Sequence, residues 1–211
     1  MNAVTKRFGA ATVLDKVDLA VAAGSFTVIR GANGSGKSTL LRIAATLTSP
    51  SEGQISINGV DALRHSADAR REIGAVMHSP MLYSDLTIRE NLALFATLCQ
   101  LEKPQDRVEA VASRLRLEAR LDERVRGLSH GYRKRVAIAR SIIHTPNLLL
   151  LDEPETGLDE SSLEVMLQIV EEWRSRGRSV LMATHSSDFA TRAPDAAYTM
   201  TAGRLEHFES S

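Results

Sequence analysis

The run Gly31-Ala32-Asn33-Gly34-Ser35-Gly36-Lys37-Ser38-Thr39 carries the strongest chemical signal in this chain. It fits the phosphate-binding pattern G-x-x-x-x-G-K-[ST] at every fixed position. Its glycines let successive backbone N–H groups turn inward into a concave anion nest. A helix starting at its end adds partial positive charge. Lys37 can reach the outer phosphates, and the Ser38 hydroxyl can ligate Mg²⁺. An ordinary glycine-rich turn before a helix gives no reason for Lys-Ser to follow. The chemistry implied is binding of a nucleoside triphosphate; the loop does not say how its energy is used.

Two further stretches carry chemistry. Leu148-Leu149-Leu150-Leu151-Asp152-Glu153 is an apolar strand ending in two carboxylates. Ligands of open α/β sheets bind beyond the carboxyl ends of strands. Asp152 is placed to hold Mg²⁺, directly or through water, and Glu153 to orient and polarise an attacking water, because phosphoryl transfer needs positioning and charge neutralisation. Leu128-Ser129-His130-Gly131-Tyr132-Arg133-Lys134-Arg135 puts an N-cap serine and an open glycine before a second helix. Cations in a first turn oppose the helix dipole. The basic residues there therefore predict a bound anion or a partner.

These residues need a scaffold. Phe26-Thr27-Val28-Ile29 reads as a strand entering the glycine-rich loop, and Leu40 to Leu47 as the helix leaving it. Short strands are expected at Thr12–Leu14, Val17–Val21 and Gln54–Ile57. The last ends in an Asn58-Gly59 hairpin turn. Thr87-Ile88-Arg89-Glu90 is a capping box. With Pro104 in a first helical turn, it marks about Leu86 to Gly127 as all-helical. Asn147–Leu151 and Ser179–Thr184 read as buried parallel strands flanking a helix from Glu160 to Arg176, whose apolar face includes Trp173. Alternating strands and helices predict an α/β fold around a parallel sheet.

Composition narrows the class. The 211 residues carry 26 basic and 26 acidic side chains, a formal charge of zero. A nucleic-acid binder would carry a basic excess, so no nucleic-acid partner is expected. The single Cys99 rules out an internal disulfide and is expected to pack as a small hydrophobe. No apolar run approaches the roughly 20 residues that span a bilayer, and the N-terminus lacks a secretory pattern.

Gly31–Thr39, Leu128–Arg135, Leu148–Glu153, Thr156-Gly157-Leu158-Asp159 and His185 stand in the order found in the ATP-binding subunits of ABC transporters. The resemblance spans essentially the whole chain. It implies a P-loop NTPase with a RecA-like parallel-sheet core, an N-terminal antiparallel β subdomain and a helical signature subdomain. One ATPase domain over 1–211 is expected. It divides into 1–85 (β subdomain and Walker A core), 86–127 (helical) and 128–211 (signature helix, Walker B and remaining core).

The resemblance also implies roles. Lys37 and the loop Gly31, Asn33, Gly34, Ser35, Gly36, Ser38 and Thr39 resemble the phosphate cradle; Ser38 and Asp152 resemble Mg²⁺ ligands. Glu153 resembles the catalytic glutamate and His185 the switch histidine. In this family two subunits dimerise head to tail, so Ser129 and Gly131 would touch the ATP of a second copy or related subunit. Asp159 matches an interface aspartate, and Phe8 an aromatic that stacks on adenine. His78 stands where the family usually has a glutamine, and Tyr132 where the signature usually has one. Mg²⁺ prefers oxygen ligands, so His78 is not counted as a metal ligand.

Met81, Leu82 and Tyr83 match the region that receives an integral membrane subunit. The implied setting is cytoplasmic, on the inner face of the membrane. Non-transport relatives usually carry tandem cassettes, long coiled coils or zinc-binding cysteines, and a dead binding module would lack the intact Lys37, Asp152, Glu153 and His185. Within transporters, His78, Leu128–Gly131, Arg135-Val136 and the short chain ending at Ser211 are most similar to the haem-exporter ATPase of cytochrome c maturation. Drug, lipid and polysaccharide exporters are the alternatives.

Overall fold

The computed structural model describes residues 1–186 and 194–208; Ser211 lies outside them. In chain order the first elements are β1 (Asn2–Phe8), β2 (Ala11–Val17), β3 (Phe26–Arg30), α1 (Lys37–Ala44), β4 (Glu52–Gln54), β5 (Ser56–Ile57), β6 (Val60–Asp61), α2 (Ser66–Arg71) and β7 (Ile73–Val76). Next come α3 (Ile88–Leu98), α4 (Pro104–Arg114), two 3₁₀ turns and α5 (His130–Ile142). The chain continues through β8 (Leu148–Asp152), α6 (Glu160–Ser175), β9 (Ser179–Thr184), β10 (Ala196–Thr201) and β11 (Arg204–His207).

The central sheet has the order β11-β10-β3-β9-β8-β7. Neighbours from β10 to β7 pair in parallel, and β11 closes the edge antiparallel to β10. A separate antiparallel sheet, β2-β1-β4, precedes and flanks it. The unbroken apolar runs of β8 and β9 follow from burial on both faces. Leu149, Leu151, Val180 and Met182 pack into one core with α3 to α6, whereas Leu150, Leu181 and Ala183 pack into another with α1 and the antiparallel sheet. Trp173 of α6 is fully buried in the first core, its indole N–H donating to the Pro146 carbonyl at 3.1 Å.

Local signals place most boundaries. Thr87 and Glu90 form the reciprocal capping box of α3, and Pro104 occupies the first turn of α4. Asn58 and Gly59, both at positive φ, make the tight turn between β5 and β6. Two strands differ from expectation. Gln54–Ile57 is broken at Ile55: Gln54 ends β4, which pairs with β1, and Ser56–Ile57 forms β5, which pairs with β6. The second strand runs from Ala11 to Val17, and residues 18–21 lie outside any strand. Asp18 instead accepts the Ala3 N–H with its carboxylate at 2.8 Å, which removes that side chain from a regular ladder face.

The parallel register positions the chemistry. Arg30, the last residue of β3, pairs with Thr184 of β9, and Ala183 pairs with Asp152 of β8. Three adjacent strands therefore end level, and each runs directly into a segment singled out by its chemistry: Gly31, His185 and Glu153.

Candidate functional site

The glycine-rich loop is held from beneath. Ser35 O accepts the Gly203 N–H at 3.0 Å, and Gly203 O accepts the Asp15 N–H at 2.9 Å, so the β10–β11 turn joins the loop to β2. Gly36 caps α1 with φ 113°, and a Cβ there would lie 2.9 Å from Leu14 Cδ2 and 3.0 Å from Val13 O. No side chain caps α1, so its first-turn N–H groups face the loop's hollow. Val13, Asn33, Lys37, Ser38, Thr39 and Glu153 border a cavity of about 280 Å³ there.

Lys37 is buried and donates to the carbonyls of Gly31 (2.8 Å) and Ala32 (3.0 Å). The Ser38 hydroxyl donates to Asp152 Oδ1 at 3.0 Å. Asp152 is 2% exposed. Burial pushes its carboxyl up, the Ser38 hydrogen bond opposes this, and the adjacent Glu153 charge adds to the rise. Glu153 Oε1 lies 3.8 Å from Lys37 Nζ and 3.4 Å from His185 Nδ1. The structure thus brings Lys37, Ser38, Asp152, Glu153 and His185 together at one mouth.

Ser38 Oγ and Asp152 Oδ1 are hard oxygen donors beside a hollow lined by the loop, which suits Mg²⁺ held chiefly by phosphate and water. No cluster of three or more His, Cys, Asp or Glu occurs among the described residues, so no all-protein cage competes with that arrangement.

The other expected residues lie elsewhere. Phe8, 55% exposed, stands at the β1–β2 turn with Lys6 Nζ 4.8 Å from its ring centre. Ser129 caps α5, accepting the Tyr132 N–H at 3.4 Å. Gly131 sits in the first turn of α5, and neither residue borders the loop's cavity. Asp159 caps α6, accepting from the Ser162 N–H at 2.8 Å and the Ser161 hydroxyl at 3.2 Å. The Ser162 side chain and N–H, ahead of the Ser161 hydroxyl, hold its carboxyl below the usual range. His78 is exposed after β7.

The basic start of α5 corrects one expectation. Arg133, Lys134 and Arg135 all bond inside the subunit, Arg133 donating to the Arg126 carbonyl at 3.0 Å. Buried Arg135 donates to the hydroxyls of Ser162 (2.7 Å) and Ser161 (2.8 Å). Lys134 donates to the Glu153 carbonyl at 3.2 Å. The reason is helical phase: Lys134, Ile138 and Ser141 share the buried stripe of α5. That phase was the available signal for Lys134. Glu155 and Thr184, joined by a hydrogen bond from the threonine hydroxyl, had no signal in local sequence, since each lies at a different strand end.

Gly157, at φ 74°, lies against His130: a Cβ there would meet the ring at 2.3 Å. A second hollow, of about 380 Å³, is bordered by Met81, Leu82, Tyr83, Phe95, Leu98 and Arg140. Met81 and Tyr83 are 43% and 62% exposed.

A parallel sheet whose strand ends converge on a glycine-rich loop, a lysine and paired carboxylates defines a P-loop NTPase fold. Comparison with known proteins refines this. The family model for ABC transporters matches residues 14–156, and the chain belongs to that family. It is 37% identical over 208 residues to the Nod factor export ATP-binding protein I of Rhizobium meliloti, covering 97% of this chain but only 62% of that protein's length. The ABC transporter ATP-binding protein NatA of Bacillus subtilis is 35% identical over 172 residues, 80% of this chain and 70% of that one. Among solved structures, the dimeric ATP-binding cassette MJ0796 in a post-hydrolysis state with ADP and Pi superposes with a TM-score of 0.90 at 28% identity, covering 100% of this chain and 98% of its own.

Proposed function

We propose that this chain binds and hydrolyses ATP as one half of a head-to-tail pair, with a second copy or a related ATPase subunit, and energises export through a separate integral membrane subunit. The observation that carries the reading is the convergence of Ser38, Asp152, Lys37, Glu153 and His185 at the mouth of one phosphate loop. The dimeric cassette it resembles supports the pairing. Relatives named for export support the direction of transport.

In this reading the loop amides and the uncapped start of α1 receive the β- and γ-phosphates. Lys37 exchanges its two carbonyl partners for phosphate oxygens. Ser38 and Asp152 would hold Mg²⁺, whose bound charge offsets that of the phosphates. Glu153 orients a water in line with the γ-phosphorus and takes its proton; the water oxygen bonds to phosphorus as the bond to the ADP oxygen breaks. His185 steadies the γ-phosphate side, and Ser129 and Gly131 complete the opposite subunit's site. The apolar hollow at Met81 and Tyr83 receives the membrane subunit, which would hold this chain on the inner face of the membrane. For cargo, relatives named for Nod factor export favour an exporter of another kind over a haem exporter; the haem reading rests on the local resemblance at His78 and Leu128–Gly131.

The test is phosphate release from ATP by the wild type and Glu153→Gln. The variant is expected to lose about 10²- to 10⁴-fold in turnover, the range of general acid–base assistance, while binding ATP normally and accumulating as an ATP-bound dimer. Turnover at the wild-type rate would remove Glu153 from the reaction. A Tyr83→Asp variant is expected to keep basal ATPase activity and lose co-purification with its membrane subunit; retained co-purification sinks the docking assignment.

A further inference from the structure

Glu153 has an unusual backbone. Its φ is 44°, in the left-handed region that side chains with a Cβ rarely occupy. Such a conformation persists only where its surroundings impose it. Both sides of the residue are held. Its N–H donates to Ala183 O of β9 at 2.9 Å. Its carbonyl accepts from Lys134 Nζ at 3.2 Å. So pinned, the residue sends its carboxylate between Lys37 and His185.

Lys134 is buried beside this peptide. It is 5% exposed on the buried face of α5. Burial pushes its ammonium toward the neutral form, and the carboxylates of Asp152, Glu155 and Glu153 oppose this. A buried ammonium is costly unless it is paired and hydrogen-bonded, and the hydrogen bond it makes is to the main chain of Glu153. Its neighbours on α5 hold the rest of the same segment. Arg135 holds the hydroxyls of Ser161 and Ser162, and His130 Nδ1 lies 3.5 Å from Gly157 O.

We propose that Lys134 is a positioning residue for ATP hydrolysis: it fixes the Glu153 peptide in the left-handed conformation that aims the carboxylate at the attacking water. The start of α5, whose Ser129 and Gly131 serve the opposite site, is thereby tied to the hydrolytic carboxylate of its own subunit. This rests on Glu153 orienting the water, so the test includes Glu153→Gln as a reference.

Steady-state phosphate release, affinity for a fluorescent ATP analogue and melting temperature are measured on the full chain for the wild type, Lys134→Met, Lys134→Arg and Glu153→Gln. Lys134→Met is expected to lower kcat by about tenfold to hundredfold, the scale of a misplaced reacting group, with nucleotide affinity and melting temperature near wild type. Lys134→Arg, which keeps a cationic donor, recovers most of the rate. If the methionine variant fails to fold, Lys134→Gln is read by the same criteria. A kcat close to wild type overturns the proposal, as does a fall in kcat matched by equal losses of affinity and thermal stability. Full turnover by Glu153→Gln would mean that the reading of Glu153 is wrong. An inactive Glu153→Gln beside a normal Lys134→Met would mean that only the positioning role is wrong.

Discussion

The starts of α1 and α5 are both helix N-termini that follow a glycine or serine signal, yet they are finished differently. At α1 the cap is Gly36, no side chain satisfies the first turn, and Lys37, Glu153 and Asp152 gather around it. At α5 the cap is Ser129, which satisfies the Tyr132 N–H itself, and the following cations turn inward to Glu153 and to the start of α6. The first gathers residues far apart in the chain around the hollow to which the proposed function assigns the phosphates. The second has used most of its charge on its own subunit, leaving Ser129 and Gly131 for whatever approaches from outside. A helix start is therefore not a binding site by itself; what surrounds its first turn decides.

The largest effect expected from that contrast is at Gly131. In the proposed head-to-tail pair, Gly131→Asp would place a carboxylate against the phosphates of the opposite subunit's ATP, a like-charge contact costing several kcal/mol, and hydrolysis should fall by more than about a hundredfold. Mixing it with Glu153→Gln, also inactive alone, should restore turnover, because one mixed site keeps both wild-type halves. A mixture that stays silent breaks the comparison, placing Gly131 in its own subunit's site. Next is Lys37→Ala, which removes a charged donor from the α1 site. ATP affinity should drop about tenfold to hundredfold, matching 1.5–3 kcal/mol for a charged hydrogen bond, as read by nucleotide titration; unchanged affinity would contradict the cradle.

Ser129→Ala should cost about 1 kcal/mol of stability through loss of the cap, seen as a lower denaturation midpoint. The smallest effect lies at the far end of α5. There His144 donates to Ile73 O at 3.0 Å, and burial holds its imidazole below the ordinary value of 6.5. The unfolded chain therefore takes up the proton first. This contribution to stability is full above pH 6.5 and is lost as pH falls through the folded value. His144→Gln should flatten that acid-side loss without changing ATP affinity; an unchanged pH profile would remove His144 as its source.

Much of the site was legible because its determinants are local. Gly36-Lys37-Ser38 dictates a loop and helix start within a few residues, and Thr87 and Glu90 satisfy each other's backbone across one turn. Strand limits around Val17 were not legible, since the Asp18 side chain binds the main chain of Ala3 and that choice depends on how β1 and β2 meet. The inward turn of Lys134 and Arg135 was missed for a related reason: charge in a first turn says that a counter-group is needed, not that it comes from Glu153 or Ser162 of the same subunit.

By itself the sequence determined the phosphate loop, the two-carboxylate strand end, the capped helices and the absence of a basic surplus, each set by backbone satisfaction or side-chain chemistry over a short span. The tertiary structure decided that Ser38 and Asp152, separated by 114 residues, meet at 3.0 Å. It also decided that Glu153 faces Lys37 and His185. Those meetings come from the strand order β3-β9-β8 and its level parallel register. Pairing of distant strands is selected by burial of both sheet faces, a property of the whole fold rather than of any one segment.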